Sequence, residues 1–357
     1  MDALGIVEVD LAALRRNYAV LAAASAPGRA GAVVKADAYG LGVAPIARAL
    51  HDAGCRHFFV ATPAEGVELR GILTGPRIFV LDGLAGSSRE AFLAAALTPV
   101  LNTRAELSAW GSAAPAAVHI DTGMNRLGLA RADIEWLKRA QGEAPAIEVA
   151  WVLTHLACAD MPDAAKNAEQ LAEFDQLRSL WPAAKTSLGN SAGLLLGDGF
   201  RSDISRPGIA LYGANPFVRA PSPVEPVVTV RGRILQIRAV EAGASIGYGA
   251  TYTAGSAMRV AVVGIGYADG YHRSLSNCGI ADVAGTRVPV VGRVSMDLVC
   301  LDVTAVPRER VTEGDWATMI GGAVSLEEVA ALAGTINYEL LTSLGRRLEH
   351  VYVNAGP

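Results

Sequence analysis

Lys35 closes the apolar run Ala32-Val33-Val34 and is followed by Ala36-Asp37-Ala38-Tyr39-Gly40. A lysine at the end of a buried strand loses part of its hydration, which lowers its pKa and suits its amine to Schiff-base chemistry. The plainer alternative is a surface lysine laying its stem along the strand end. His119 opens the stretch His119-Ile120-Asp121-Thr122-Gly123-Met124-Asn125-Arg126, and His155 follows another apolar run. Asn190-Ser191-Ala192 and Arg206-Pro207-Gly208-Ile209 offer a hydroxyl, clustered backbone N–H groups and a glycine that permits close approach. Those features suit a phosphate monoester. An amine with a phosphate cup opposite points to a phosphorylated aldehyde cofactor, which is pyridoxal 5'-phosphate.

Such groups act together only if one scaffold gathers them. Over the first two-thirds of the chain, short apolar strands are expected at 32–34, 58–60, 77–81, 99–101, 118–121, 149–153, 186–188 and 203–205. Helices are expected between them. Val43, Ile46, Ala47 and Leu50 recur at helical spacing, Thr62-Pro63-Ala64-Glu65 and Thr103-Arg104-Ala105-Glu106 read as capping boxes, and Asn167 opens a further helix. About eight βα units in roughly 200 residues make an α/β fold of the (β/α)8 TIM-barrel type, whose chemistry sits at the C-terminal strand ends. A doubly wound sheet is disfavoured because the first βα turn lacks the glycine fingerprint. After Pro216 the pattern changes: prolines at 221, 223 and 226 precede alternating strands at 228–240, 260–265, 287–291, 297–303 and 317–320, with helices returning only at 326–332 and 338–344. The expected division is a barrel over 1–225 and a mostly antiparallel β domain over 226–357.

Composition narrows the classes of partner. The chain has 357 residues, 51% hydrophobic and 18% charged, with 35 acidic against 31 basic residues. A net charge of −4 argues against nucleic acid or an anionic membrane as main partner. Four scattered cysteines form no CxxC pair, so no disulfide framework or metal site is expected. With no run of about 18 apolar residues and no signal-like start, a soluble cytoplasmic enzyme is the expectation. Three motifs mislead. Gly189-Asn190-Ser191-Ala192-Gly193 fits a serine-hydrolase elbow, but the βα alternation ends at that serine rather than surrounding it. Asp121-Thr122-Gly123 lacks the second triplet an aspartic protease needs, and the glycine pattern at Gly264-Ile265-Gly266 breaks at Asp269.

The segment AVVKADAYGLG resembles the cofactor-lysine signature of alanine racemases. So do HIDTGMNRLGL, THLACAD, GNSAG, RPGIALYG, GYG at Gly247-Tyr248-Gly249, GYADGY, GRVSMD and TINYELL, in the family's order from Val7 to Tyr352. The resemblance implies a pyridoxal-phosphate-dependent isomerase of L- and D-alanine, a barrel plus a β domain, and a head-to-tail homodimer with shared active sites. It implies D-alanine supply for peptidoglycan. Lys35 would hold the cofactor and carry protons on one face of the substrate, and Tyr248 of a second subunit on the other. Tyr39, Ser191, Gly208, Ile209 and Tyr338 resemble the phosphate ligands. His155 and Asn190 join the cofactor site, and Arg206 would face the pyridine nitrogen. Arg126, the Met296 backbone and Asp297 resemble the substrate-carboxylate clamp, and Tyr267 and Arg273 the residues of the access channel.

The chain departs from the family pattern at four places. His119 stands where many members have a carbamylated lysine, Asp37 and Leu41 where Asn and His are common, and Ser295 where Cys is common. A neutral His119 is expected, with Arg126 steadied by Asp121, Asn125 or a bound anion and activity declining as pH falls through about 6.5. Two rival readings are a broader-specificity racemase of the same fold class and a non-catalytic pyridoxal-phosphate carrier. The tyrosine and the second domain speak against the carrier.

Overall fold

The computed structural model describes residues 3–140, 146–217 and 221–356, which form two compact units. One comprises Ala13–Ala38 and Val43–Glu225. In it the strands Ala32–Val33, His57–Val60, Arg77–Val80, Leu97–Leu101, Ala116–His119, Val149–Leu153 and Lys185–Ser187 pair in parallel, each with the next. Ile204–Ser205 closes the ring. It pairs in parallel with Arg29–Ala30, and the Gly31 and Val33 N–H groups donate to the Ser205 and Pro207 carbonyls, both at 2.9 Å. On its other side Ser187 Oγ donates to the Ile204 carbonyl at 2.6 Å, and Arg206 N–H to that of Gly189 at 2.7 Å. The result is an eight-stranded (β/α)8 barrel. Its strands are covered on both faces, which is why all five residues of Leu97–Leu101 are buried.

The helices between the strands start where the expected caps lie, with two differences. Thr62 and Glu65 form a full capping box before Pro63–Ile72. Thr103 accepts the Glu106 N–H, yet the Glu106 carboxylate turns away to the Asn102 and Leu84 N–H groups at 2.7 and 2.8 Å. Asn167 does not open its helix, which runs Ala165–Leu177. Its side chain is buried, and its Nδ2 donates back to the Cys158 and Met161 carbonyls, while its Oδ1 finds no partner among the described residues.

The other unit comprises the chain up to Ala12, Tyr39–Gly42 and Pro226–Gly356. Its axis is the strand Val228–Val240, which pairs antiparallel with Gly5–Asp10, Met258–Val263 and Trp316–Ile320. A register shift between Ile234 and Gln236 lets its second half pair with Met258–Val263. Gly5–Asp10, expected at the start of the barrel, lies in this mostly antiparallel sheet, paired also with Glu349–Val353 in parallel. The alternating burial of GIVEVD is the pattern of a strand with one covered face. Leu326–Ala333 starts at Ser325, whose hydroxyl accepts the Glu328 N–H, and stops at Gly334 in the left-handed conformation. No helix among the described residues is long and apolar enough to cross a membrane.

Candidate active site

Lys35 ends the first barrel strand, and the chain after it turns left-handed: φ is 52° at Ala36, 51° at Asp37, 53° at Ala38, 61° at Tyr39 and 82° at Gly40. For an L-residue this conformation costs about 1–2 kcal/mol each, so the turn persists only because its surroundings over-determine it. Ala36 N–H donates to Glu65 Oε1 at 2.8 Å, so the capping glutamate of the next helix also holds the turn. Val43 N–H donates to Asp37 Oδ1 at 2.6 Å, an acceptor that Asn would supply equally. A side chain at Gly40 would lie 2.6 Å from the Leu341 carbonyl oxygen. The Lys35 amine has no hydrogen-bond partner among the described residues. Burial lowers its pKa, the Arg126 charge lowers it further, and Asp82 and Glu65 oppose the shift.

Opposite strand ends supply a buried guanidinium. Arg206 is 4% exposed. Its Nη1 donates to the Ser187 carbonyl at 2.8 Å and Ser187 Oγ at 2.7 Å, and Nη2 to the Thr154 carbonyl at 2.6 Å. Burial lowers its pKa to about 10, which leaves it charged at neutral pH. Its Nη2 lies 3.3 Å from His155 Nδ1. Burial and then the Arg206 charge push the His155 pKa well below the usual value, so the ring is neutral. Gln170, fully buried, steadies this loop by donating to the His155 carbonyl and Thr122 Oγ1, both at 3.0 Å, and accepting the Ala157 N–H. Ser191 is no hydrolase nucleophile. Its Oγ accepts the Gly208 and Ala210 N–H groups at 2.9 and 3.2 Å, leaving its own proton to donate outward. Asn190 Oδ1 caps the same turn through the Gly193 N–H.

His119 is held by a neighbouring strand end and makes no hydrogen bond to Arg126. His119 Nδ1 lies 2.9 Å from Asn102 Oδ1, and Asn102 Nδ2 donates to two carbonyls. The network therefore assigns the proton to Nδ1 and leaves Nε2 as acceptor. Burial, then the Arg206 charge, lowers the His119 pKa to about 4. His119 is neutral as expected, but the decline near 6.5 is corrected: it does not titrate there. Asp121 makes no hydrogen bond or ion pair with Arg126 among the described residues; its Oδ1 accepts the N–H groups of Gly123, Met124 and Asn125. Arg126 is exposed and donates to no group among the described residues.

The β unit holds the remaining candidates. The Tyr39 and Tyr338 rings stand 6.0 Å apart, and burial raises the Tyr39 pKa above that of an ordinary phenol. Ala268 N–H donates to the Met296 carbonyl and Tyr267 N–H to that of Ser295, both at 3.0 Å. Arg347, which the sequence reading missed, grips Asp269 through Nε at 2.8 Å and Nη2 at 2.9 Å, and Asp297 through Nη1 at 2.6 Å. Tyr248 is 72% exposed between Gly247 and Gly249, whose φ angles are 74° and 71°. Arg273 is exposed on a short turn, Arg273–Leu275.

Residues 9–216 match the family described as alanine racemase, N-terminal domain, and residues 227–352 the alanine racemase C-terminal domain. The chain belongs to the alanine racemase family. A catabolic alanine racemase of Agrobacterium fabrum is 45% identical over 362 residues, covering 99% of this chain and 93% of the relative. An alanine racemase of Methylobacterium nodulans is 45% identical over 354 residues, covering 97% and 95%. Among solved structures, the Bartonella henselae alanine racemase with covalently bound pyridoxal phosphate superposes with a TM-score of 0.93 at 37% identity, covering 99% of this chain and all of that one. The biosynthetic enzyme of Pseudomonas aeruginosa gives 0.90 at 32% identity, with 99% and 100% covered. With its family, the chain is a pyridoxal-phosphate-dependent amino-acid racemase, an isomerase.

The residues present fit that cofactor. Lys35 supplies an unpartnered amine of lowered pKa, Ser191 a free hydroxyl proton, and Arg206 an Nε–H that makes no bond within the described residues while both terminal nitrogens are fixed. Sequence reasoning missed Gln170, Asn102 and Arg347, all polar groups that act on site residues from neighbouring elements. Glu65 alone carried a signal, as the glutamate of a capping box beside a candidate strand end.

Proposed function

We propose that the chain interconverts L- and D-alanine with two proton carriers, Lys35 on one face of the substrate Cα and Tyr248 of a second copy of the chain on the other. Pyridoxal phosphate, bound through Lys35, supplies the electron sink that makes this carbon acidic. Lys35 takes or returns the proton, a role helped by burial and the Arg126 charge, which lower its pKa below that of an ordinary lysine. Tyr39, Ser191, Gly208, Ile209 and Tyr338 hold the phosphate, with His155 and Asn190 supporting the loops around it. Arg206 would face the cofactor's ring nitrogen and donate to it without surrendering its proton, which would keep the ring a modest sink and disfavour transamination. Arg126, the Met296 N–H and the Asp297 loop hold the substrate carboxylate, while Tyr267, Arg273 and Tyr338 leave room for a small side chain.

The observation that carries this reading is Lys35: an unpartnered amine, depressed in pKa, on a strained turn of a chain in this family. The exposure of Tyr248 at 72% and Met296 at 53% supports the second copy, since large apolar groups left uncovered mark a surface that meets a partner. Borohydride reduction of the loaded enzyme followed by peptide mapping tests the lysine. Label on any other residue overturns the assignment. A panel of amino acids tests the substrate, and turnover of basic side chains at rates comparable to alanine would favour the broader-specificity reading.

The physiological direction is a separate matter, because the reaction is reversible. Supply of D-alanine for peptidoglycan predicts that deletion causes D-alanine auxotrophy. Several relatives are named catabolic. A deletion strain that grows without D-alanine but fails on alanine as carbon source would transfer that role to this chain.

A further inference from the structure

The chemistry above occupies the C-terminal strand ends of the barrel; the opposite end has its own cluster. Phe79 meets the Trp151 ring edge-on at 5.3 Å, and their strands are not neighbours, so both rings lie inside the barrel. Arg77, two residues before Phe79, shares its face. His57 is the register partner of Arg77, and Lys185 that of Trp151, so these four form the last layer at the N-terminal end, with Trp151 buried and Arg77 and Lys185 exposed at its rim. Arg29 joins them. The N–H groups of Arg29, Gly31 and Val33 all donate to the closing strand, and a side chain at Gly31 would strike the Phe59 ring at 2.6 Å, which puts that face inward.

The layer holds three cations and no acid. The Arg77 guanidinium lies 4.3 Å from the Trp151 ring centroid and donates to Thr98 Oγ1 at 3.3 Å. Among the described residues, Arg29, Arg77 and Lys185 have no ion-pair partner. The nearby Asp203 forms no ion pair with Lys185, although it feels the Lys185 charge; its carboxylate turns to the Thr186 N–H and Oγ1 at 2.7 and 2.8 Å. Burial, with the charges of Arg29, Arg77 and Lys185, lowers the His57 pKa to about 4. Two polar atoms of this layer, His57 Nδ1 and Trp151 Nε1, are shut off from solvent with no hydrogen-bond partner, and Trp151 is 7% exposed. A buried donor left unpaired costs free energy and calls for an ion or a water.

We propose that the N-terminal end of the barrel is a binding site for a small oxyanion of the phosphate or carboxylate type, with Arg29, Arg77 and Lys185 supplying the charge and Trp151 Nε1 and His57 the shielded hydrogen bonds. Six residues of extended chain, roughly 20 Å, separate Arg29 from Lys35, so the site is distinct from the catalytic end. An anion there offsets the mutual repulsion of the three cations and stabilises the closed barrel by mass action, without entering turnover.

The test uses holoenzyme labelled with fluorotryptophan, titrated with inorganic phosphate, acetate or chloride at matched ionic strength. One fluorine resonance, absent in Trp151→Phe, is expected to move saturably with phosphate or acetate and not with chloride. The ranking of phosphate and acetate identifies the ligand type. Arg77→Gln with Lys185→Gln should weaken the apparent affinity at least tenfold with racemase activity unchanged, and Arg29→Gln at the rim provides a milder variant if the pair does not fold. A Trp151 resonance indifferent to all three anions, equal shifts with chloride, or undiminished affinity in the variants overturns the proposal.

Discussion

The barrel and the β unit hold their candidate residues in opposite ways. In the barrel, Arg206 is 4% exposed, with its terminal nitrogens on the carbonyls of residues 154 and 187 and on Ser187 Oγ. His155 is tied through Gln170, and the turn after Lys35 is strained and braced. In the β unit, Tyr248, Tyr267, Met296 and Tyr338 are all exposed, from 41% to 72%. Preorganisation in a closed strand-end ring needs no partner to be complete. Exposed groups of this kind have their function set by what later covers them. The two regions should therefore fail differently when altered.

Lys35→Ala should give the largest effect. It removes the attachment point and one proton carrier together, so the absorbance near about 420 nm should vanish. Racemisation should fall by roughly 10³-fold or more in both directions. Tyr248→Phe should be next and one-sided. L-to-D turnover should fall by about 10²–10⁴-fold, while solvent-deuterium exchange into D-alanine and cofactor loading survive. Equal loss on both enantiomers would end the assignment of faces. Because Tyr248 is so exposed, the Phe variant should keep its stability within about 0.5 kcal/mol.

A smaller effect belongs to Arg126. Its guanidinium is exposed and makes no hydrogen bond or ion pair among the described residues, so replacement should leave folding unchanged. A charge-assisted hydrogen bond contributes about 1.5–3 kcal/mol. Arg126→Met should accordingly raise KM by roughly ten- to a hundredfold, with kcat falling less. A Met variant with unchanged KM would remove Arg126 from the substrate site.

The same contrast explains what was legible beforehand. Reading strand ends of a barrel located Lys35, His155, Ser191 and Arg206 without any motif, because parallel strands announce themselves as apolar runs and the polar residue that ends each one stands out. In the β unit, Tyr248 and Met296 lie on turns and Tyr338 on the short helix Asn337–Thr342; the composition of these segments carries no such rule, and the family resemblance alone pointed to them. Gly5–Asp10 was misplaced because pairing with Val228–Val240 depends on a segment more than two hundred residues away. Gln170, Asn102 and Arg347 were invisible for a related reason: each is an ordinary polar residue on its own element, and its meaning comes only from the side chain or carbonyl it meets.

The smallest expected effect, and the sharpest test of the buried character of the barrel, is the pH behaviour of His119. Its pKa is lowered to about 4 by burial and by Arg206, with Arg126 adding to the shift and Asp121 opposing it; an unfolded histidine titrates near about 6.5. The unfolded chain thus binds the proton more readily between these values, so His119 contributes stability that is full above about 6.5 and is lost as pH falls toward 4. His57 and His155 are lowered too and share that sign. Acid sensitivity should therefore belong to the barrel as a whole, and His119→Asn should reduce the slope of unfolding free energy by up to about 1.4 kcal/mol per pH unit in that window. Activity at pH 5–8 should be unaffected by His119 protonation, and added bicarbonate should do nothing, since no lysine stands at position 119 to be carbamylated. Denaturant titrations of wild type and His119→Asn at several pH values measure this directly. An unchanged slope, or an activity limb near 6.5 that the substitution abolishes, would mean that His119 is solvated and that this part of the barrel mouth is as open as the β unit.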